Sequence, residues 1–314
     1  MKHFPAGIFV TALFAAMLIF PQAVFSGAEE GLLLWFQIIF PTLFPFLVVT
    51  SLLLSSGGLN LITRLFGGLF RRIFRVTQNG AFAVLAGFLC GYPMGAKVTA
   101  DLLRAEKISD REARYLLSFC NNTSPVFIIN FIVWKTFGDE RLMLPTLLIL
   151  IGSPVLMSFI FRRIYLKGRH PFPEPSAALK EKKTRFDFSV LDSCMMNSFE
   201  AIVKVGGYII LFSVLLSLLE ELSGQHSILM AAAPALEVTN GILLLSSSVS
   251  DPGLRYAAVL GLTSFGGLCS AAQTKCMLER TGLSVIPYII QKLTTATAAS
   301  LLSFIYLALF SPFH

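Results

Sequence analysis

Apolar residues in this chain run in long blocks, and the polar residues between them gather into short loops. Blocks of this length predict membrane-crossing helices rather than amphipathic surface helices or alternating strands. Residues 4–25, 32–54, 115–137, 142–161, 198–219 and 285–309 each read as a span, with the span at 32–54 kinked by Pro41 and Pro45. Two stretches are different. Residues 59–76 combine an apolar face (Leu61, Leu65, Phe66, Leu69, Phe70, Phe74) with Arg64, Arg71, Arg72 and Arg75, the pattern of a helix lying in the interface. Residues 228–249 are apolar except for Pro234, Glu237, Thr239 and Asn240 near the centre.

Residues 81–104 and 256–279 are hydrophobic runs broken at mid-length by glycine and small residues, Gly87 to Gly95 in one and Gly261 to Gly267 in the other. Each resumes as a short helical piece carrying a lysine, Lys97 or Lys275. That pattern predicts two re-entrant hairpins, because irregular backbone survives at membrane depth only where protein or a water-filled cavity covers it. A matched pair, one in each half, points to a transporter's substrate site.

Charge gives the expected orientation. Residues 162–185 hold eight Lys/Arg against Glu174 and Glu181, with prolines at 171, 173 and 175, so this linker is read as cytoplasmic. Counting from it places the loop at 138–141 outside, the connector at 104–114 inside, and Glu29-Glu30 and Glu220-Glu221 in outside loops. The second hairpin then opens from the outside, and both termini are expected in the cytoplasm if the first helix is retained. Both halves follow one order in opposite directions: span, interfacial or partial helix, hairpin, broken span. The expected architecture is an all-α polytopic membrane protein with inverted-topology repeats, two re-entrant hairpins and broken helices. Its divisions are 1–27 (first helix or signal peptide), 28–163 (first repeat), 164–192 (basic linker) and 193–314 (second repeat).

Composition agrees with a cell-membrane location. With 55% hydrophobic residues, 14% charged residues and a mean hydropathy of +0.73, a soluble domain is excluded. The net charge of +7 resides mainly in a few loops, which positive-inside bias explains without a nucleic-acid partner. Cys90, Cys120, Cys194, Cys269 and Cys276 show no C-x-x-C spacing and read as buried thiols; the four scattered histidines suggest no metal site. Residues 1–26 carry Lys2, an apolar run and small residues before Gly27, as a signal peptide does. A retained helix is preferred because a second span follows at once.

The candidate chemistry lies at the interruptions. Asn121, Asn122, Thr123 and Ser124 precede Pro125, which removes a backbone donor and disfavours helix at Ser124. A plain proline kink is the simpler reading, but four consecutive polar residues exceed what a kink needs. In the first hairpin Tyr92 and Pro93 form the tip. The half-helix after them turns its positive end into the membrane, and Lys97 either adds a charge there or snorkels outward. Glu237, with Thr239 and Asn240, is either an intramembrane carboxylate or an interfacial one. Ser264, Ser270, Gln273 and Thr274 decorate the second hairpin. Gln291, Lys292, Thr294, Thr295 and Thr297 are expected to interrupt the final span, with Lys292 roughly 10 Å deep. No nucleophile–base arrangement, nucleotide loop or cofactor motif is present, so an enzyme is not expected.

The blocks Cys90-Gly91-Tyr92-Pro93-Met94-Gly95-Ala96-Lys97, Leu117-Ser118-Phe119-Cys120-Asn121-Asn122-Thr123-Ser124-Pro125 and Leu236-Glu237-Val238-Thr239-Asn240-Gly241 closely resemble the YlbJ-type sporulation integral membrane proteins, within the nucleoside-recognition Gate-domain group. The resemblance covers most of the chain. It implies a fold similar to concentrative nucleoside transporters. It also implies substrate contacts from Tyr92, Pro93, Lys97, Asn121 to Ser124 and Glu237. Some such proteins are linked to dipicolinate movement, and Lys97, Lys275 and Lys292 suit an anion. The leading expectation is therefore alternating-access transport of a small organic anion. A nucleoside transporter coupled to Na⁺ or H⁺ is the alternative, and a non-transporting sporulation scaffold is the third reading. A small-molecule substrate and the lipid bilayer are the expected partners, and homo-oligomer formation stays open.

Overall fold

In the computed structural model, residues 4–56, 68–166, 187–223 and 233–310 are described. They are mostly helical, with no strand among them. Helix α1 (Phe4–Ile19) turns through 101° at Phe20 into α2 (Pro21–Leu34), with Pro21 in the first helical turn where its missing N–H costs nothing. A π-helical turn, Trp35–Ile39, joins α2 to α3 (Phe40–Ser56). Glu29 and Glu30, expected in a loop, thus lie inside a helix. The same holds for Glu220 and Glu221, which belong to α10 (Phe188–Ser223).

The reason for these long helices is their mutual packing. Side chains added at Gly27 or Gly31 would fall 2.6 Å from the Ser217 hydroxyl and 2.8 Å from the Ile210 Cα, so α2 and α10 meet backbone to backbone. Small residues four apart permit that approach within a bilayer. On the same helix pair Trp35 covers Gly206, and its indole N–H donates to the Ile202 carbonyl at 3.0 Å.

Between these outer helices the first half continues through α4 (Gly68–Phe74), α5 (Gln78–Cys90), α6 (Met94–Arg104) and α7 (Asp110–Leu117). After a non-helical stretch come α8 (Pro125–Phe127), a π-helical extension (Ile128–Phe137) and α9 (Met143–Leu166). The second half follows α10 with a 3₁₀ turn (Ala233–Ala235), α11 (Val238–Ser248), α12 (Pro252–Phe265), α13 (Gly267–Met277) and α14 (Val285–Phe310). Side-chain caps from Thr77, Ser109, Ser124, Glu237 and Asp251 set the starts of α5, α7, α8, α11 and α12, each accepting from a backbone N–H three residues on. Helices α9, α10 and α14 are each long and apolar enough to cross a membrane. The bent pairs α1–α2 and α4–α5 raise that number to five. The interfacial helix expected at 59–76 is described only from residue 68, and most of the linker lies outside the described residues.

Contacts between helix ends define two faces. On one, Arg162 donates to the Ile73 carbonyl (3.0 Å), Asn79 to the Lys107 carbonyl (3.0 Å), Arg104 to the Glu279 carbonyl (2.9 Å) and Gln291 to the Tyr165 hydroxyl (2.6 Å). On the other, Tyr256 packs on Phe137 and Tyr306, and Gly253 approaches Leu307.

Two expectations are corrected by this arrangement. Helix α14 is unbroken, so Gln291, Lys292, Thr294, Thr295 and Thr297 do not interrupt it. The three threonine hydroxyls donate to carbonyls three or four residues back, keeping the helix intact. Helix α12 starts beside the far end of α14, and α13 ends near its beginning. The pair therefore runs from face to face, broken at Gly266, and does not return as the hairpin expected at 256–279. This brings Lys275 and Arg280 to the face that carries Arg104, Lys107 and Arg162. It also puts the end of α14 beside the 138–141 loop and its start beside the end of α9. Cysteines introduced at Lys107 and Arg280 are expected to react with a membrane-impermeant thiol reagent from one side, and cysteines at Asp139 and Ser250 from the other. Labelling of Arg280→Cys together with Asp139→Cys would contradict the arrangement.

Candidate functional site

Four helix breaks converge in the interior: Gly91-Tyr92-Pro93 between α5 and α6, 118–124 between α7 and α8, Leu236-Glu237 before α11, and Gly266 between α12 and α13. The first two touch directly. A side chain at Gly87 would meet the Cys120 carbonyl at 1.7 Å and one at Gly95 would meet it at 2.2 Å, while Gly91, at φ +83°, backs onto Ser124. The last two also touch, since the Cys269 N–H donates to the Leu236 carbonyl at 2.8 Å. Across the halves, the Tyr92 hydroxyl reaches the carbonyls of Thr263 and Ser264 at 3.3 Å each, and the Thr123 hydroxyl donates to the Thr263 carbonyl at 3.1 Å. The Leu236, Thr263 and Ser264 carbonyls beside the second pair of breaks thus find partners within the protein rather than in water.

Asn121 ties the most elements together. Its Oδ1 accepts from the Ala96 N–H on α6 (3.2 Å), and its Nδ2 donates to the Thr274 hydroxyl on α13 (2.9 Å) and the Tyr288 hydroxyl on α14 (3.0 Å). Its own carbonyl, with Asn122 Oδ1, receives the Lys292 ammonium at 3.2 Å each. The Lys292 nitrogen also stands 5.1 Å from the centre of the Tyr92 ring.

The breaks border a cavity of about 90 Å³. Its polar lining comes from Cys90, Tyr92, Thr123, Ser124, Glu237, Thr239, Cys269, Ser270 and Gln273, and its apolar wall includes Leu34, Ile39, Leu43, Phe127, Val205 and Ile209. Seven of the residues singled out from sequence therefore meet here: Tyr92, Thr123, Ser124, Glu237, Thr239, Ser270 and Gln273. Pro93, Asn121, Asn122, Ser264, Thr274 and Lys292 are not in the lining; they are buried and pack or bond behind it. Asn240 donates instead to the Ser213 hydroxyl on α10 (3.3 Å). Lys97 is not at this cavity. It pairs with Asp101 at 2.9 Å and lines a larger cavity of about 740 Å³ at the basic face, with Arg104, Lys107, Lys204 and Arg280. Lys275 is exposed.

Glu237 is the one charged residue lining the central cavity among the described residues. It is buried, and its Oε2 caps α11 by accepting from the Asn240 N–H at 2.8 Å. Cys90 and Cys269 escaped the sequence reading as lining residues because buried thiols look alike whether they face a cavity or a core. Tyr288 escaped because one tyrosine in an apolar span carries no signal by itself.

The apolar helices with breaks around an inner cavity fit an integral membrane protein, and residues 36–140 match the Gate family, described as nucleoside recognition. Along almost its whole length the chain is similar to the sporulation integral membrane protein YlbJ of Bacillus subtilis (strain 168). The two are 28% identical over 346 aligned positions, covering 98% of this chain and 83% of the relative. The resemblance carried by the three residue blocks is thus shown. No solved structure matches the chain.

Gly87→Ala is expected to lower stability by about 3 kcal/mol through its clash with the Cys120 carbonyl, whereas Gly207→Ala, with open space at its Cβ, stays within about 0.5 kcal/mol of wild type. Asn121→Ala strands several buried partners and is expected to cost about 3 kcal/mol. Thermal unfolding of purified protein in detergent measures all three, with exposed Asn130→Ala as the control.

Proposed function

We propose that this protein is a membrane transporter that holds a small, uncharged, hydroxyl-rich solute of the nucleoside class in the central cavity and moves it by alternating access. The observation that carries this reading is the lining itself. Five hydroxyl-bearing residues (Tyr92, Thr123, Ser124, Thr239 and Ser270), the amide-bearing Gln273 and one acidic residue, Glu237, line the cavity, and no lysine joins them. A carboxylate accepts from ribose-like hydroxyls or ring N–H groups and repels a dianion at the same position. The Gate match, described as nucleoside recognition, supports the same class.

The inverted repeat is part of the proposal, with revised boundaries. Helices α2–α3 correspond to α10, the α5–α6 unit to the unit ending in α11, the broken span α7–α8 to α12–α13, and α9 to α14. Two things support this correspondence: each half contributes one pair of touching breaks, and the paired elements run in opposite directions between the two faces. A small-molecule site of roughly 300 Å³ or more is usual for a ligand of nucleoside size. The cavity is smaller than that, so on this reading the conformation is closed and the α5–α6 unit moves to admit solute.

The small organic anion, dipicolinate included, stands as the second reading. It is favoured by one observation: Lys97, Arg104, Lys107, Lys204 and Arg280 all line the larger cavity at the basic face. Acidic Asp101, Glu200 and Glu279 share that lining, which weakens its pull on a dianion.

A ligand scan by thermal unfolding separates these readings, since a ligand bound to the native state raises its midpoint by mass action. Nucleosides are expected to raise the midpoint. Glu237→Gln, which keeps the size and the cap but removes the charge, is expected to weaken their binding at least about tenfold, or about 1.4 kcal/mol. A shift with dipicolinate or other dicarboxylates, unchanged or enlarged in Glu237→Gln, moves the assignment to the anion. No shift with either class, from protein that unfolds cooperatively, favours a scaffold.

A further inference from the structure

Lys292 is a fully buried cation that the proposed solute site does not use. It sits within intact α14, is not among the residues that line the cavity, and its ammonium meets three groups that disperse positive charge: the carbonyl of Asn121, the side-chain oxygen of Asn122 and the face of Tyr92. Two of these belong to the unwound stretch after α7, and the third belongs to the turn between α5 and α6. Among the described residues no carboxylate forms an ion pair with it. The titratable groups nearby are Tyr92 on the α5–α6 turn, Cys120 on the unwound stretch and Tyr288 one turn earlier on α14.

A freed backbone carbonyl, an amide oxygen and an aromatic face form a receptor for a monovalent cation. Unwound helix carbonyls hold Na⁺ in transporters built on broken helices, and an aromatic face adds to the attraction. Here the position is already filled by a side chain of the protein. A buried ammonium without a carboxylate partner is costly unless such oxygens receive it, and a Leu or Met would pack an apolar span more cheaply.

We propose that the Lys292 ammonium is a tethered cation that occupies the oxygen-lined junction between the α5–α6 turn and the 118–124 break, so that the closed conformation needs no bound Na⁺ there. Its consequence for coupling rests on the transporter reading: a transporter so built would draw no driving force from Na⁺ at this junction. The cation assignment itself does not depend on a solute.

The test measures the unfolding midpoint of the full chain in detergent, in choline, sodium, potassium and methylammonium chlorides at equal ionic strength. The wild-type midpoint is expected to be the same in all four. Lys292→Ala, which empties the position, is expected to unfold earlier in choline chloride and to recover by roughly 3 °C or more in sodium or methylammonium chloride. Lys292→Met, which fills the space without charge, is expected to unfold earlier and not to recover. A wild-type midpoint that rises in sodium over choline overturns the proposal, and this arm decides even where Lys292→Ala does not fold. So does a Lys292→Ala protein that is as stable as wild type in choline, or one that no cation restores. No solute enters this experiment. A negative ligand scan therefore sinks the transporter reading alone, and a sodium-stabilised wild type sinks the tethered cation alone.

Discussion

The constraint that organises this protein is that backbone without helical hydrogen bonds must find partners where water is scarce. Residues 118–124 leave the helix in the middle of the molecule, and Pro125 ensures that they stay out of it. Every solution the fold adopts follows from that. Glycines 87 and 95 let α5 and α6 close on the Cys120 carbonyl, since no side chain fits there. Asn121 spends both its donors and its acceptor on three other helices. Lys292 comes across from the final helix to take the Asn121 carbonyl that nothing else caps. The second half meets the same requirement with a different set of residues, where the Leu236 carbonyl receives Cys269 and Glu237 caps the helix that follows.

This arrangement separates two jobs that a list of polar residues cannot distinguish. Some side chains hold the breaks together, and others face the space the breaks leave. Asn121, Asn122, Thr274 and Lys292 do the first. Tyr92, Thr123, Glu237, Thr239 and Gln273 line the cavity, Tyr92 and Thr123 doing both. A substitution in the first group acts on the fold before it can act on a solute, so loss of function there does not identify a contact. Substitutions at Thr239 or Gln273 inform on the solute more directly.

Much of this was legible in the sequence because broken helices leave a dense local mark. The run Gly91-Tyr92-Pro93 and the polar block ending at Pro125 locate two breaks to within a residue or two, whereas Glu237 read as a carboxylate in an apolar stretch and not as a break. What composition could not supply was the path between breaks. Residues 256–279 carry small residues at their centre whether the chain turns back at Gly266 or passes straight on, and only the packing of α12 and α13 against α14 distinguishes these. Helix ends were misread for a similar reason. Glu29, Glu30, Glu220 and Glu221 look like loop residues, yet helices α2 and α10 continue through them because Gly27 and Gly31 commit the two backbones to each other. The role of the lysines was also hidden. Charge alone suggests that Lys97, Lys275 and Lys292 share one task, whereas one is ion-paired at a face, one is exposed and one is buried behind a tyrosine.

The contact of α2 with α10 also bears on how the two halves are joined. It sets the backbone of one half directly against that of the other through Gly27, Gly31 and Gly206, with Trp35 laid over the last of these. Neither half completes its own outer wall; each borrows a helix from its counterpart. The register between the N-terminal and C-terminal helices is thus written into their facing small residues, so a side chain added at Gly27 or Gly31 would force apart helices nearly two hundred residues distant in the sequence.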